Sequence, residues 1–286
     1  MKQKIILALL VFVILSFAQN IQALPIPRAQ QAEILQQEIV TLQALARNYN
    51  LYEAPGAGAY IAVDITSGNV LLQKNVDMEF SMASVTKLMN AVISVENIDM
   101  EKKITLTEEI LLAQGQTPTL YSGLRITAKD LLRIAVTQSS NDSAEALAYF
   151  LGKNEFIRLM NQKAKELGMS RTFYRDTNGL SLENKSTATD LAKLVSYVYK
   201  NHPEILEISK DNNFWLPDQT GRMLKFKNEN SFYYLNNFVG GKAGYLPEAK
   251  NTFNSVFNVN GKPVAIAILY STNQMADIFS ILRKIK

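Results

Sequence analysis

The chain has 286 residues, 47% of them hydrophobic and 20% charged, with a net charge of +4. That suits one large globular domain or two small ones, and no tract is long or biased enough to be disordered. There is no cysteine and a single histidine, which excludes cysteine nucleophiles and thiolate metal sites and leaves any Ser-His-Asp mechanism dependent on His202. The mild excess of positive charge suits lipid head groups or wall polymers, and no dense Lys/Arg run points to nucleic acid.

Lys2 and Lys4 precede an apolar stretch from Ile5 to Ala18, too short to span a bilayer comfortably. Residues 1–23 read as a secretory signal. Cleavage follows Ala18 or Ala23, with an uncleaved anchor as the alternative, and the mature protein is expected outside the cytoplasm, in the periplasm or at the cell wall. A lipoprotein anchor would need a cysteine. In residues 24–50, after Pro25 and Pro27, Leu35, Ile39, Leu42, Leu45, Ala46 and Tyr49 recur at helical spacing. This is an amphipathic helical spacer of two or three heptads, too few to imply oligomerisation. A monomer is expected.

The main domain is expected over residues 51–286, opened by a turn at Glu53-Ala54-Pro55-Gly56. Residues 59–64 (AYIAVD) and 69–73 (NVLLQ) read as a hairpin turned at Thr66-Ser67-Gly68. Gly56-Ala57-Gly58 precedes a strand instead of following one, so it is no dinucleotide fingerprint. From Ser84 to about Tyr199 the period is helical, with runs at 88–95, 128–137, 143–151, 155–167 and 190–199. Residues 251–259 and 263–270 flank Asn260-Gly261, a strong hairpin signal, and 276–286 is a last helix. Strands at both ends and helices between them give an α+β fold: an antiparallel sheet built from both ends of the domain, flanked by helices, with an all-helical insertion. A cleft between the two lobes is the natural site.

Three short motifs remain. Ser84-Val85-Thr86-Lys87 opens an apolar helix, so Ser84 and Lys87 share a face. A Ser-x-x-Lys occurs about once by chance in a chain of this size, and an N-cap is the ordinary role for such a serine. Lys87 is a usable base only where burial or a second cation lowers its pKa. Ser139-Ser140-Asn141 lies between two helical runs and alone reads as a capped loop. Gly240-Gly241-Lys242-Ala243-Gly244-Tyr245 alone reads as a glycine-rich turn beside an edge strand.

In this order and at these separations the three resemble the Ser-x-x-Lys, Ser-x-Asn and Lys-Thr-Gly set of penicillin-recognising enzymes. With the text around them, including Asp176-Thr177-Asn178-Gly179-Leu180-Ser181 and Ser186-Thr187-Ala188-Thr189-Asp190-Leu191-Ala192, residues 58–275 are similar to the low-molecular-mass penicillin-binding serine D-alanyl-D-alanine carboxypeptidases. The resemblance implies a β-lactamase/transpeptidase-like fold, peptidoglycan stem peptides as substrate, β-lactams as covalent inhibitors, and neither metal nor cofactor. It implies that Ser84 attacks the D-Ala-D-Ala carbonyl, Lys87 takes the proton, Ser139 passes one to the leaving nitrogen and Asn141 orients Lys87. Lys242 would keep Lys87 neutral and attract the substrate's terminal carboxylate, and the backbone amides of Ser84 and Tyr245 would form the oxyanion hole beside Gly244.

Two departures stand out. The family's middle threonine is Ala243, which removes a hydrogen bond to the substrate carboxylate worth about 1.5–3 kcal/mol. Slower carboxypeptidase turnover, or a preference for cutting cross-links that lack a terminal carboxylate, is expected. Many relatives also carry a C-terminal β-rich domain and a membrane helix. This chain stops at Lys286, so any peripheral membrane contact is expected from the N-terminal segment. A β-lactamase shares the motifs but needs a glutamate motif that is not evident between Asn141 and Lys242. A catalytically impaired wall-binding homologue is the remaining alternative.

Overall fold

The computed structural model describes residues 55–112, 117 and 119–286, together with positions 27, 30, 31 and 37. The expected signal segment, and all but those four positions of the expected 24–50 spacer, lie outside the described residues. Residues Gly56–Lys286 form one unit with a five-stranded antiparallel sheet at its centre.

The first strand, β1 (Ala59–Asp64), is buried on both faces, which is why AYIAVD is apolar almost throughout instead of alternating. It pairs on one side with β2 (Val70–Lys74), the exposed edge of the sheet. On the other side it pairs with a strand from the far end of the chain, Ala59 opposite Leu269. That strand, β11 (Lys262–Ser271), forms a hairpin with β10 (Lys250–Val259) through Asn260-Gly261, both at positive φ as such a two-residue turn requires. The remaining edge is β9 (Phe238–Leu246), giving the order β2-β1-β11-β10-β9.

Between the two ends run the helices. α1 (Thr86–Asn97) is buried from Thr86 to Ser94. α2 (Ala128–Thr137) begins at Thr127, whose hydroxyl accepts from the Asp130 amide while donating to the Asp130 carboxylate. α3 (Asn141–Tyr149), α4 (Lys153–Glu166), α5 (Ala188–Asn201) and the short α6 (Pro203–Ile208) follow. α5 repeats the α2 cap, Thr187 accepting from Asp190. It packs against β1, β10 and β11, so it covers one face of the sheet. The last helix, α7 (Gln274–Lys284), covers the other.

The insertion also carries short ribbons that the periodicity did not show. β3 (Phe80–Ser81) pairs with β6 (Lys185–Ser186), and β4 (Lys103–Thr105) with β5 (Arg125–Thr127). Strands of two or three residues are too short for a period-two pattern. After α6, β7 (Phe214–Pro217) and β8 (Met223–Phe226) make a third ribbon. Gly240 to Tyr245, expected to be a turn, belongs to the edge strand β9 itself.

The sheet divides the apolar residues into two cores. One lies with the helical insertion and includes Leu88, Val92, Leu131, Ala144, Phe156, Leu191 and Val195. The other lies under α7 and is aromatic: Phe232, Phe238, Phe253 and Phe257 pack with centroids 4.9–6.3 Å apart, stacked, tilted and edge-on.

Candidate active site

Ser84 sits in a 3-10 turn, Ala83–Val85, that feeds directly into α1. Ala83 has φ of +47°, a left-handed conformation that is unusual for alanine and turns the chain sharply before the serine. Ser84 does not cap the helix. Its hydroxyl accepts instead from Lys87 Nζ at 2.8 Å.

Lys87 is 1% exposed and saturated with acceptors. Besides Ser84 it donates to Asn141 Oδ1 (2.7 Å) and to the Asn178 carbonyl (2.5 Å). Burial holds its pKa well below the ordinary lysine value. The charge of Lys242 pushes the same way and Asp176 opposes. A lowered pKa of this kind is what a base for Ser84 requires.

Asn141 is the first residue of α3, and the two serines before it divide the work. Ser140 is the cap, accepting from the Ser143 amide at 3.1 Å and from the Thr117 hydroxyl at 2.6 Å. This leaves Ser139, at φ +60°, turned the other way, where its hydroxyl accepts from Lys242 Nζ at 2.9 Å. Lys242 comes from β9 and also donates to the Ala243 carbonyl (2.8 Å). Burial pulls its pKa down to about 7, with Glu229 opposing. Two buried lysines thus face a serine each, joined through the Ser139–Asn141 segment.

Two glycines let the walls close. A Cβ on Gly244 would stand 2.7 Å from the Ser84 amide nitrogen, so β9 can run hard against the Ser84 backbone. A Cβ on Gly179, which has φ of +92°, would meet the Ala83 carbonyl oxygen at 2.1 Å. The Ser84 amide is therefore held between two backbone segments, at the helix end where peptide dipoles favour developing negative charge. Tyr245, 61% exposed, stands at the outer rim.

The model of the D-alanyl-D-alanine carboxypeptidase family matches residues 49–273. The chain belongs to the D-alanyl-D-alanine carboxypeptidase family. It is 30% identical over 286 residues to a D-alanyl-D-alanine endopeptidase of Pseudomonas aeruginosa, covering 94% of this chain and 83% of that protein. It is 32% identical over 228 residues to the Escherichia coli D-alanyl-D-alanine endopeptidase, covering 74% and 71%. The Streptomyces K15 DD-transpeptidase superposes with a TM-score of 0.73 at 26% identity, over 82% of this chain and 96% of that one. The penicillin-binding, DD-transpeptidase fold expected from the sequence is the one found.

The departure expected from the sequence is at Ala243. It lies opposite Phe253 in the β9–β10 register, packs against the aromatic core and lines a groove beside Lys242. The alanine methyl carries the apolar face out towards the groove.

Residue types alone did not reveal three groups. The Asn178 carbonyl is a backbone acceptor, invisible in side-chain identity. Asp176 ties the turn that presents it, accepting from the amides of Asn178 (3.2 Å), Gly179 (2.7 Å) and Ser181 (2.6 Å). The Asp-Thr-Asn-Gly sequence was the available signal, an Asx-type turn. Glu229 lies in a stretch with no period at all. His202 is clear of the site: it contacts Glu96 at 3.0 Å, at the other end of α1 and 12 residues on from Ser84, about 18 Å along a helix.

Proposed function

We propose that the protein is a serine D-alanyl-D-alanine peptidase that acts on peptidoglycan stem peptides through an acyl-enzyme on Ser84. The observation that carries this is Lys87: buried, and hydrogen-bonded at once to Ser84, Asn141 and the Asn178 carbonyl. Neutral Lys87 takes the Ser84 proton as Oγ attacks the D-Ala carbonyl, and the oxyanion is held by the backbone amides of Ser84 and Tyr245. The C–N bond breaks, and Ser139, in contact with Lys242, hands a proton to the departing nitrogen. Water then cleaves the ester and restores Ser84. β-Lactams enter the same first step and stall there.

Labelling with a fluorescent penicillin tests the reading. Wild type takes one label per chain and Ser84→Ala takes none. Labelling that survives Ser84→Ala sinks the assignment, and a wild type that takes none supports the impaired wall-binding homologue. The β-lactamase reading lacks support at its water-activating carboxylate. Glu145, a buried candidate, is already held by Lys153 and by Thr177 Oγ1. Rapid repeated turnover of nitrocefin would reinstate it.

A second reading, D,D-endopeptidase action on cross-links, is favoured by Ala243 and by relatives that bear that name. Ala243→Thr restores the missing hydroxyl. On a peptide ending in D-Ala-D-Ala it raises kcat/KM about ten- to a hundred-fold, the worth of one charge-assisted hydrogen bond. No gain removes the argument from Ala243. Mass spectrometry of digested muropeptides separates loss of terminal D-Ala from cross-link cleavage. Under this reading residues 1–23 direct export, 24–50 serve as a spacer, and the catalytic part, 51–286, works as a monomer at the wall.

A further inference from the structure

A second layer of hydrogen bonds lies beside the Lys87 contacts. Asn90 follows Lys87 by three residues on α1, so the two side chains share a face of the helix. Asn90 is fully buried. Its Nδ2 donates to the Ala144 carbonyl (3.0 Å) and to the Thr177 carbonyl (3.0 Å). Both partners are pure acceptors, so the amide stands with its nitrogen, not its oxygen, towards them.

The elements tied at Asn90 are the ones that meet at Lys87. Ala144 lies on α3, three residues after Asn141, whose Oδ1 accepts from Lys87. Thr177 immediately precedes Asn178, whose carbonyl also accepts from Lys87. Asn90 therefore repeats, further along α1, the bridge that Lys87 makes. Other bonds brace the same elements. Thr177 Oγ1 donates to Glu145 on α3 at 2.9 Å. Asn184 Nδ2 donates to Thr86 Oγ1 on α1 at 3.1 Å and to Asp176 Oδ1 at 2.7 Å. Asn90 reaches from α1 to both acceptor-bearing segments at once.

The separation of those two acceptors matters to a base. As an ammonium, Lys87 has three N–H groups, one each for Ser84, Asn141 and Asn178. The neutral amine has two N–H groups and one lone pair. The Asn178 carbonyl and Asn141 Oδ1 carry no proton, so they take the two N–H groups. The lone pair is then left facing the Ser84 hydroxyl. With either acceptor out of reach, an N–H would turn back to Ser84 and the lone pair would point elsewhere, unable to take the proton.

We propose that Asn90 is a positioning residue for acylation: it fixes the distance between the Asn141 and Asn178 acceptors and so keeps the Lys87 lone pair on Ser84. The inference rests on the serine peptidase reading and deepens it. Asn90 acts through Lys87 and carries no charge of its own. Lys242 on β9 and Asp176 in the turn act on Lys87, and Glu145 on α3, paired with Lys153, stands behind Thr177. The substitutions at Asn90 leave all of these charges in place.

The test is stopped-flow acylation by penicillin, followed across the acid limb over which Lys87 loses its proton. Wild type, Asn90→Leu and Asn90→Gln are compared, with circular dichroism to confirm folding. Asn90→Leu keeps the size of the side chain and removes both N–H donors. Its limiting rate is expected to fall about a hundredfold, as for a misplaced reacting group. Its acid limb is expected to move down by about half a pH unit or more, because an ammonium whose acceptors part is held less well. Asn90→Gln keeps the donors at a longer reach and is expected to fall between on both readings. A folded Asn90→Leu protein with the wild-type rate overturns the proposal. So does a lower rate with an acid limb that stays put or moves up, the mark of a general loss of packing. Should Asn90→Leu not fold, the same two readings on Asn90→Gln decide. A wild type that takes no penicillin label loses the peptidase reading, and the proposal with it.

Discussion

The two faces of the central sheet are built from opposite materials. Under α7, Phe232, Phe238, Phe253 and Phe257 pack with Ile266, Ile268, Ile278 and Ile281, and the one buried carboxylate of α7, Asp277, accepts from the Ser271 hydroxyl. On the other face two lysines are buried, Ala83 and Ser139 hold left-handed backbone, and Gln138 Oε1, Asp142 Oδ1, Ser143 Oγ and Asn254 Oδ1 are buried without hydrogen bonds. Burial also pushes the Asp142 carboxyl above its ordinary pKa. Each of these features costs stability. The aromatic face supplies what the catalytic face gives up, and the glycine-bearing strand β9, which belongs to both, passes that rigidity to the site.

That comparison can be broken at three points. The largest effect is expected on the aromatic face. Phe257→Ala leaves a cavity beside Phe232 and Phe238 and costs about 3–5 kcal/mol, read as a lower denaturation midpoint at unchanged slope. Folded Phe257→Ala protein should still acylate with penicillin at the wild-type rate; a fall above tenfold would mean the faces are not separable.

On the catalytic face the sign reverses. The Lys242 pKa is depressed in the folded state, so the unfolded chain binds more protons and stability rises with pH from about 7 towards the ordinary lysine value. Lys242→Met should abolish turnover yet stabilise the protein, by something on the order of 4 kcal/mol below pH 7. The gain should vanish near pH 10.5, and equilibrium unfolding at pH 6 and pH 10.5 checks both parts. A loss of stability at pH 6 would show that Lys242 is not the burden its burial implies.

The third test acts where the backbone walls meet. Gly179→Ala forces the Asn178 turn away from Ala83, and a shift of about 1 Å at the reacting groups can lower acylation about a hundredfold. Stopped-flow penicillin acylation measures it, with circular dichroism to confirm folding. Near-normal acylation would mean the turn relaxes without moving the Asn178 carbonyl.

Both terminal hairpins and the main helices were legible because they carry turn dipeptides or long apolar periods. The β10–β11 pair around Asn260-Gly261 is the clearest case. β9 was not, because Gly240, Gly241 and Gly244 look like turn residues. They are needed where Leu206, Ser255 and the Ser84 amide crowd the strand. The three motifs that the structure brings together, at Ser84, Ser139 and Lys242, were legible as a set, since their chemistry is in the side chains. The Asn178 carbonyl was hidden because the acceptor belongs to the backbone. Glu229 was hidden because its place is fixed by the asparagines on either side, Asn228 and Asn230, and not by any period.

Because β1 finds its partner in β11, Ala59 must meet Leu269 across some two hundred residues before the sheet exists. Pairings of such sequence separation form slowly, since the long loop is closed before any contact repays it. Ser84 lies near one end of that loop and Lys242 near the other. A chain still emerging from the ribosome, or still unfolded after transport, has a serine and a lysine but no pocket between them. On this reading, hydrolytic power appears only when the last strand docks, which keeps the unfinished protein chemically silent.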